Sequence, residues 1–523
     1  MPTADFFAAV SAAVGVAHMS RAPEDLAVYG SDVFFQDRPP GAVARPGNTD
    51  ELKRVIKAVS DNGGSIAPRG GGLSYSAGYL TGRDDTVVID TARMNRVLAV
   101  NADDMYVHVE AGISWAALDA ALAPHGLRVA FWGTGSGLHA TVGGGLSQNA
   151  ANYGTGQHGF AADNVLGLKV ILADGSEFTT GSWSAATSPT PFARYYGPDL
   201  TGIFLGDCGA FGVKAEAALP LVRRPGGIAY CAFELSELNT FLAAMAAVGR
   251  AGLHAECFGF DPAYMSYRTT YAGIAEDVGR LKGVLTGQGS LIKGVTEAFK
   301  VAAAGRRFLA DAAYSLHLVV EGRDQRDADD ACARVGELCR DAGGREIPAS
   351  IPRVMRGTPF PAPTLMIGPR GERWIPIHGI VPHSRARAAV DAIHAVFNAH
   401  AAAIEKFGIA WAWVSLPVGR SGVLIEPTIY WSDRRSPMQD RYLDQPYAAK
   451  NNDHAPNPEA RAAVAAIRMG VAQAFRGLGA VHLQIGRTYP YLPSRIPESA
   501  DLLRMLKRRL DPSQIMNPGS LGL

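Results

Sequence analysis

The chain has 523 residues, 47% hydrophobic and 19% charged, and its 50 Lys and Arg against 49 Asp and Glu leave a formal net charge of +1. That much apolar material builds two or more full cores and excludes a disordered or fibrous chain, while the balanced charge excludes the cationic field on which nucleic-acid binding depends. Five scattered cysteines without a Cys-x-x-Cys pair argue against a disulfide framework or a zinc site and fit a reducing compartment, which leaves 59 glycines as the unexplained excess.

In chain order, Asp5 stands where a secretory leader carries Lys or Arg, and no apolar run reaches the roughly 18 residues of a membrane helix. A cytoplasmic protein with no membrane span is expected. Asp50 to Ser60 places Leu52, Val55, Ile56 and Val59 on one helical face behind an Asn48-Thr49-Asp50 start signal. Ser65 to Pro68 and Thr86 to Asp90 read as strands, with Arg69-Gly70-Gly71-Gly72-Leu73-Ser74 between them. Consecutive glycines after a strand let several backbone N–H groups converge on one anion, and Ser74 and Ser76 add hydroxyls. Neither a P-loop lysine nor a Gly-x-Gly-x-x-Gly turn opening a helix is present, so a P-loop NTPase and a Rossmann dehydrogenase lose support.

A second cluster, Gly133 to Gly159, packs nine glycines into 27 residues and includes Thr141-Val142-Gly143-Gly144-Gly145 with Ser147 and Asn149. A strand over Leu168 to Ala173 follows and closes on Asp174-Gly175. Glycine-dense backbone laid against strands suits a flat, rigid ligand. The break Leu221 to Gly227, with Pro225, marks a domain boundary. Beyond it, Ala386 to Phe407 and Pro458 to Phe475 read as Ala-rich amphipathic helices covering a sheet, and Trp411 and Trp413 share one face of a strand as core residues.

These residues resemble a known family. The Arg69 to Ser74 loop, the Ala140 to Gly144 segment with Asn149, and Asp163 to Gly175 are similar to the FAD-binding module of the vanillyl-alcohol oxidase/p-cresol methylhydroxylase (PCMH-type) flavoproteins. Asp199 to Lys214, Trp374-Ile375-Pro376-Ile377-His378 and Asp511 to Gly519 follow in family order. The resemblance implies an α+β fold: a PCMH-type two-subdomain FAD-binding module over residues 1–222, an inserted α+β substrate cap of antiparallel sheet flanked by helices over 223–477, and a segment, 478–523, that returns to the FAD module.

Carried over by position, Arg69, Gly70, Gly71, Gly72, Leu73 and Ser74 would cradle the FAD pyrophosphate. Thr141, Gly143, Gly144, Ser147 and Asn149 would line the flavin and ribityl side, Val165 would lie near the adenosine half, and Asn517 near the isoalloxazine edge. Leu73 stands where some relatives carry a flavin-linking His, and the cap strand Gly422 to Arg434 has no His, so non-covalent FAD is expected, with Tyr430 the alternative for a tyrosyl link. Where the phenol oxidases carry a Tyr-Arg pair this chain reads Val481-His482, which speaks against a para-substituted phenol.

Flavin oxidation of an alcohol needs a base within roughly 2.6–3.2 Å of the hydroxyl proton. His482, Tyr430, Glu426 and His378 are the candidates, His482 first. His378 and His383 lie five apart across a proline, a poor metal spacing, so no metal is expected. Arg353, Arg356, Arg434 and Arg435 are candidate carboxylate forks, with solvated surface positions as the alternative. The implied activity is oxidation of an alcohol, a 2-hydroxy acid or an aromatic alcohol, with electrons passed to O₂ or to a carrier such as a cytochrome. A sugar or lactone alcohol oxidase of the same fold and a non-catalytic FAD-binding protein are the alternatives, and a homodimer is the implied assembly.

Overall fold

The computed structural model describes residues 4–188, 190–264, 267, 314–443, 445–451 and 453–523. Three sheets organise it. The first has the order Met19–Ser20, Ala42–Ala44, Thr86–Asp90, Ser65–Arg69, with the last three strands parallel. The helix Thr49–Asp61 begins where the Asn48 side chain accepts from the N–H of Glu51, and it buries Leu52, Val55, Ile56 and Val59 against that sheet. Each such side chain contributes about 1.5–3 kcal/mol of burial. The C-terminal segment adds to the sheet edge: Ile66 N–H donates to the carbonyl of Ile515 at 2.8 Å, and Asn517 N–H donates to the carbonyl of Ile66 at 2.7 Å.

The second sheet is antiparallel, in the order Val97–Asn101, Tyr106–Glu110, Val213–Arg223, Gly167–Ile171, Glu177–Thr179, with Leu127–Val129 paired to the far end of Val213–Arg223. Its core holds Trp115, Phe131, Val142 and Leu146, so the second glycine cluster is anchored from behind.

The long strand Val213–Arg223 ends the second sheet, and Gly227–Leu235 begins the third. This is an eight-stranded antiparallel sheet in the order Arg345–Ile347, Gly227–Leu235, Tyr314–Gly322, Glu256–Phe260, Ala410–Val418, Gly422–Trp431, Arg373–Pro376, with Gly379–Pro382 also on Gly422–Trp431. The helices Leu238–Ala251, Gln325–Asp341, Ala386–Ala399 and Pro458–Gly477 pack on it through Phe241, Val335, Ile393, Phe397 and Val464. The helix predicted over 386–407 is two helices, Ala386–Ala399 and Ala401–Phe407, which meet at His400. Trp413 is buried in the core, and the half-buried Trp411 packs against it by stacking on Phe397 at 3.8 Å. No helix among the described residues is long and apolar enough to cross a membrane.

Candidate active site

A cavity of about 690 Å³ lies between the two glycine clusters and the cap sheet. One wall is backbone. Gly70 to Ser74 border it together with Thr141, Gly143, Gly144, Gly145 and Ser147. The glycines are there because the two loops touch. A Cβ on Gly71 would stand 2.2 Å from the carbonyl oxygen of His139, and one on Gly70 2.2 Å from Thr141 Oγ1. Gly72 has φ +70, a left-handed conformation that favours glycine.

None of the backbone N–H groups from Gly70 to Ser74 donates to an acceptor among the described residues, and the buried hydroxyls of Ser74 and Ser76 have no partner there either. A row of unspent donors beside a cavity fits the oxygens of a pyrophosphate. The adjacent short helix Val142–Gln148 is different: Val142 and Gly143 donate to Ile113 and Ala111, and Gly144 to Thr141 Oγ1 at 3.1 Å. Its first N–H groups hold the loop to the second sheet.

The opposite wall is built of side chains. Trp374, His378, Leu424 and Glu426 come from the cap, Phe258 and Phe260 from a neighbouring cap strand, and Tyr75 from the first glycine loop. The Tyr75 hydroxyl donates to Glu426 Oε2 at 3.2 Å and accepts from Gln484 Nε2 at 3.0 Å, so a 351-residue separation in sequence closes into one contact. Glu426 borders the cavity and keeps a fifth of its side-chain surface accessible. Burial pushes its carboxyl up to about 7, with the Tyr75 hydrogen bond opposing the rise.

His378 is buried, and that burial, reinforced by the neighbouring His482, lowers it to about 3, so it is neutral near pH 7. Its Nε2 lies 2.9 Å from the Leu483 nitrogen and 3.0 Å from the Leu483 carbonyl oxygen, and its Nδ1 lies 3.3 Å from the Tyr489 hydroxyl and 3.7 Å from Glu426 Oε2. The Nδ1 edge of the ring thus faces the carboxyl.

The family described as an FAD binding domain matches residues 40–181, the segment that holds both glycine loops. An uncharacterized FAD-linked oxidoreductase of Mycobacterium tuberculosis is 29% identical over 231 residues, which cover 44% of this chain and 48% of that protein. The mitochondrial D-lactate dehydrogenase [cytochrome] 1 of Saccharomyces cerevisiae is 26% identical over 243 residues, 45% of this chain and 40% of that protein. The chain therefore spans less than half the length of these curated relatives. The crystal structure of p-cresol methylhydroxylase with substrate bound superimposes over 100% of this chain and 98% of that one, at a TM-score of 0.74 and 16% identity, which establishes the fold. The chain thus carries an FAD binding domain over residues 40–181 and has the fold of p-cresol methylhydroxylase.

In this PCMH-type fold FAD is the cofactor, and Arg69 through Ser74, Thr141, Gly143, Gly144 and Ser147 all border the cavity that would hold it. Arg69 does so as a buried framework residue: it lies over the Tyr29 ring at 4.3 Å, 3.9 Å from Asp90, and donates to Tyr442 at 3.2 Å. Three residues expected at the cofactor do not line the cavity. Asn149 ends its helix at φ 50 and turns its Oδ1 to the N–H of Ala162. Val165 is packed in the core of the second sheet. Asn517 donates to the carbonyls of Gly78 and Cys208 and accepts from Arg487, so it acts by tying the loops together.

Of the four candidate bases, Glu426 and His378 line the cavity and His482 and Tyr430 do not. The His482 ring stacks on Tyr489 at 3.9 Å, places its Nδ1 2.8 Å from the carbonyl of His378, and faces a separate cavity. Tyr430 pairs across the sheet with Trp374 but lies further along the strand than Glu426, under the ring of Tyr267.

The proposed carboxylate forks are engaged elsewhere. Arg356 bonds to Glu256 at 2.9 Å and to Glu321, Arg435 bonds to Asp440, Arg434 lies near Asp453, and Arg353 lies over the Tyr230 ring. Tyr75 and Gln484 are functional-site residues that sequence reasoning passed over; an aromatic ring inside a glycine-serine loop was the available signal for the first.

Proposed function

We propose that this chain is an FAD-dependent oxidoreductase that oxidises an alcohol, with Glu426 accepting the hydroxyl proton. The observation that carries the reading is a carboxyl poised near neutrality by burial, set across the cavity from an unspent row of backbone donors. When bound, FAD supplies the hydride acceptor, and the protein's share is to place the substrate carbon against it. Tyr75 holds the Glu426 oxygen by its hydroxyl, and Gln484 in turn holds Tyr75. His378 presents its Nδ1 edge to the same carboxyl. Trp374, Phe258, Phe260 and Leu424 exclude water around it and strengthen each of these contacts.

That lining supports an aromatic or otherwise apolar alcohol. The cationic side chains bordering the cavity among the described residues are Arg69 and Lys214, one held by Tyr442 beside Asp90 and the other by Asp207 at 2.6 Å. A 2-hydroxy acid is the second reading, supported by the D-lactate dehydrogenase among the relatives. Electrons then pass to O₂ or to an external carrier.

The test is anaerobic bleaching of the purified flavoprotein by benzylic alcohols, D-2-hydroxy acids and sugars. Bleaching by benzylic alcohols alone is the expected result; bleaching by D-lactate selects the second reading, and bleaching by none refutes alcohol oxidation by these classes.

A further inference from the structure

A second cavity of about 410 Å³ lies directly against the first. Gln148, Leu483 and Gln484 border both, so the partition between them is a single layer of side chains. Gln148 ends the helix whose first turn borders the glycine cradle, so the partition stands on the cofactor side of the active cavity. Beyond it the chamber reaches the outer helix Pro497–Leu510 through Leu503 and Leu506, and the loop before Val213–Arg223 through Asp199 and Ile203.

The carboxylates that face this chamber are paired within the protein. Asp199 is held by Arg194 at 2.8 Å and Asp207 by Lys214 at 2.6 Å, so both carboxylates are neutralised. His482 has its Nδ1 on the carbonyl of His378, and burial lowers it to about 4, which keeps the ring uncharged near pH 7. Asn149 accepts from Ala162, and Gln484 donates to Tyr75. Among the fully buried atoms of this lining, Asp207 Oδ2 has no partner. A chamber whose carboxylates are paired and whose imidazole is neutral offers no free charge to anchor an ion, and its volume equals about fourteen waters at roughly 30 Å³ each. It suits transit rather than retention. The partition also contains strain: Gln484 sits at φ 44, a left-handed conformation uncommon outside glycine, of the kind that accumulates at sites of function.

We propose that this second cavity is the route by which dioxygen reaches the flavin side of the active cavity, passing between Gln148, Leu483 and Gln484. The inference rests on the FAD-dependent oxidoreductase reading, with O₂ as the electron acceptor. In the step that consumes it, dioxygen takes two electrons from the reduced flavin and two protons, and leaves as hydrogen peroxide. Rotamer changes in the partition side chains, fast on the scale of turnover, are sufficient for passage of a diatomic molecule.

Xenon, apolar and close to dioxygen in its choice of sites, is the probe for the protein itself. In crystals of the intact protein under xenon pressure, a xenon peak among Ile203, Leu205, Leu506 and Leu521 is expected, and no peak there overturns the proposal. The kinetic arm fills the chamber with Ile203→Trp and, separately, Leu506→Trp, two variants whose folding is independent of each other. With flavin reduced by light or dithionite, so that no alcohol is needed, reoxidation by O₂ should slow by roughly tenfold or more in each folded variant. Unchanged reoxidation in either folded variant overturns the route. Anaerobic reduction by an alcohol should stay unchanged; a failure of every alcohol to reduce the wild-type protein strikes the functional reading and leaves the dioxygen arm interpretable.

Discussion

The two walls of the active cavity are built on opposite principles. The cradle is backbone from two stretches of glycine, each local in sequence, and it works because side chains are missing: Gly70 and Gly71 let the loops close to contact and leave their N–H groups unspent. The cap wall is side chains brought from distant parts of the chain, and it works through what they carry, a carboxyl, a phenol, an imidazole and an amide. The first wall should therefore fail by steric insertion and the second by loss of a functional group, each without the other's symptom.

Gly71→Val makes the largest break. Its Cβ has no room beside the His139 carbonyl, and the protein should purify with almost no flavin absorbance while the far-ultraviolet circular dichroism of the cap helices persists. Glu426→Gln should do the reverse, keeping the flavin spectrum and lowering anaerobic reduction by an alcohol substrate by roughly 10²- to 10⁴-fold. The base is the ionised form, so wild-type reduction should rise with pH through about 7 and level off above it, and this dependence should vanish in Glu426→Gln.

Tyr75→Phe is gentler. Its hydroxyl lowers the Glu426 pKa, so removing it should move the midpoint of the pH profile upward and cost roughly tenfold in reduction rate below that midpoint, with flavin content unchanged. His482→Gln should be smallest, within about threefold in reduction rate, because the ring faces away from the cavity; a loss like that of Glu426→Gln would return the base to His482.

The same contrast explains what the sequence disclosed. The helix over Asp50 to Ser60 and the strand over Thr86 to Asp90 were readable because periodicity and capping act over neighbouring residues. The glycine loops were readable for the same reason. Glu426 was found as a residue type in a cap strand, but its partnership with Tyr75 depends on packing across the whole fold. His482 was the first-ranked base, whereas backbone geometry sends Leu483 and Gln484 to the cavity wall and His482 to the far side, a turn no pattern of apolar residues records. The helix break at His400 was similarly silent, since both halves keep the amphipathic repeat.

Asn517 has a consequence for biosynthesis. The strand that ends in the cradle, Ser65–Arg69, receives its edge partner from Ile515 to Asn517, and Asn517 pins the carbonyls of Gly78 and Cys208 on either side. A growing polypeptide therefore carries the whole phosphate loop for hundreds of residues before the segment that braces it emerges from the ribosome. Tight capture of FAD accordingly waits for Ile515 to Asn517, and truncation just before Ile515 should release the cofactor while leaving the cap intact.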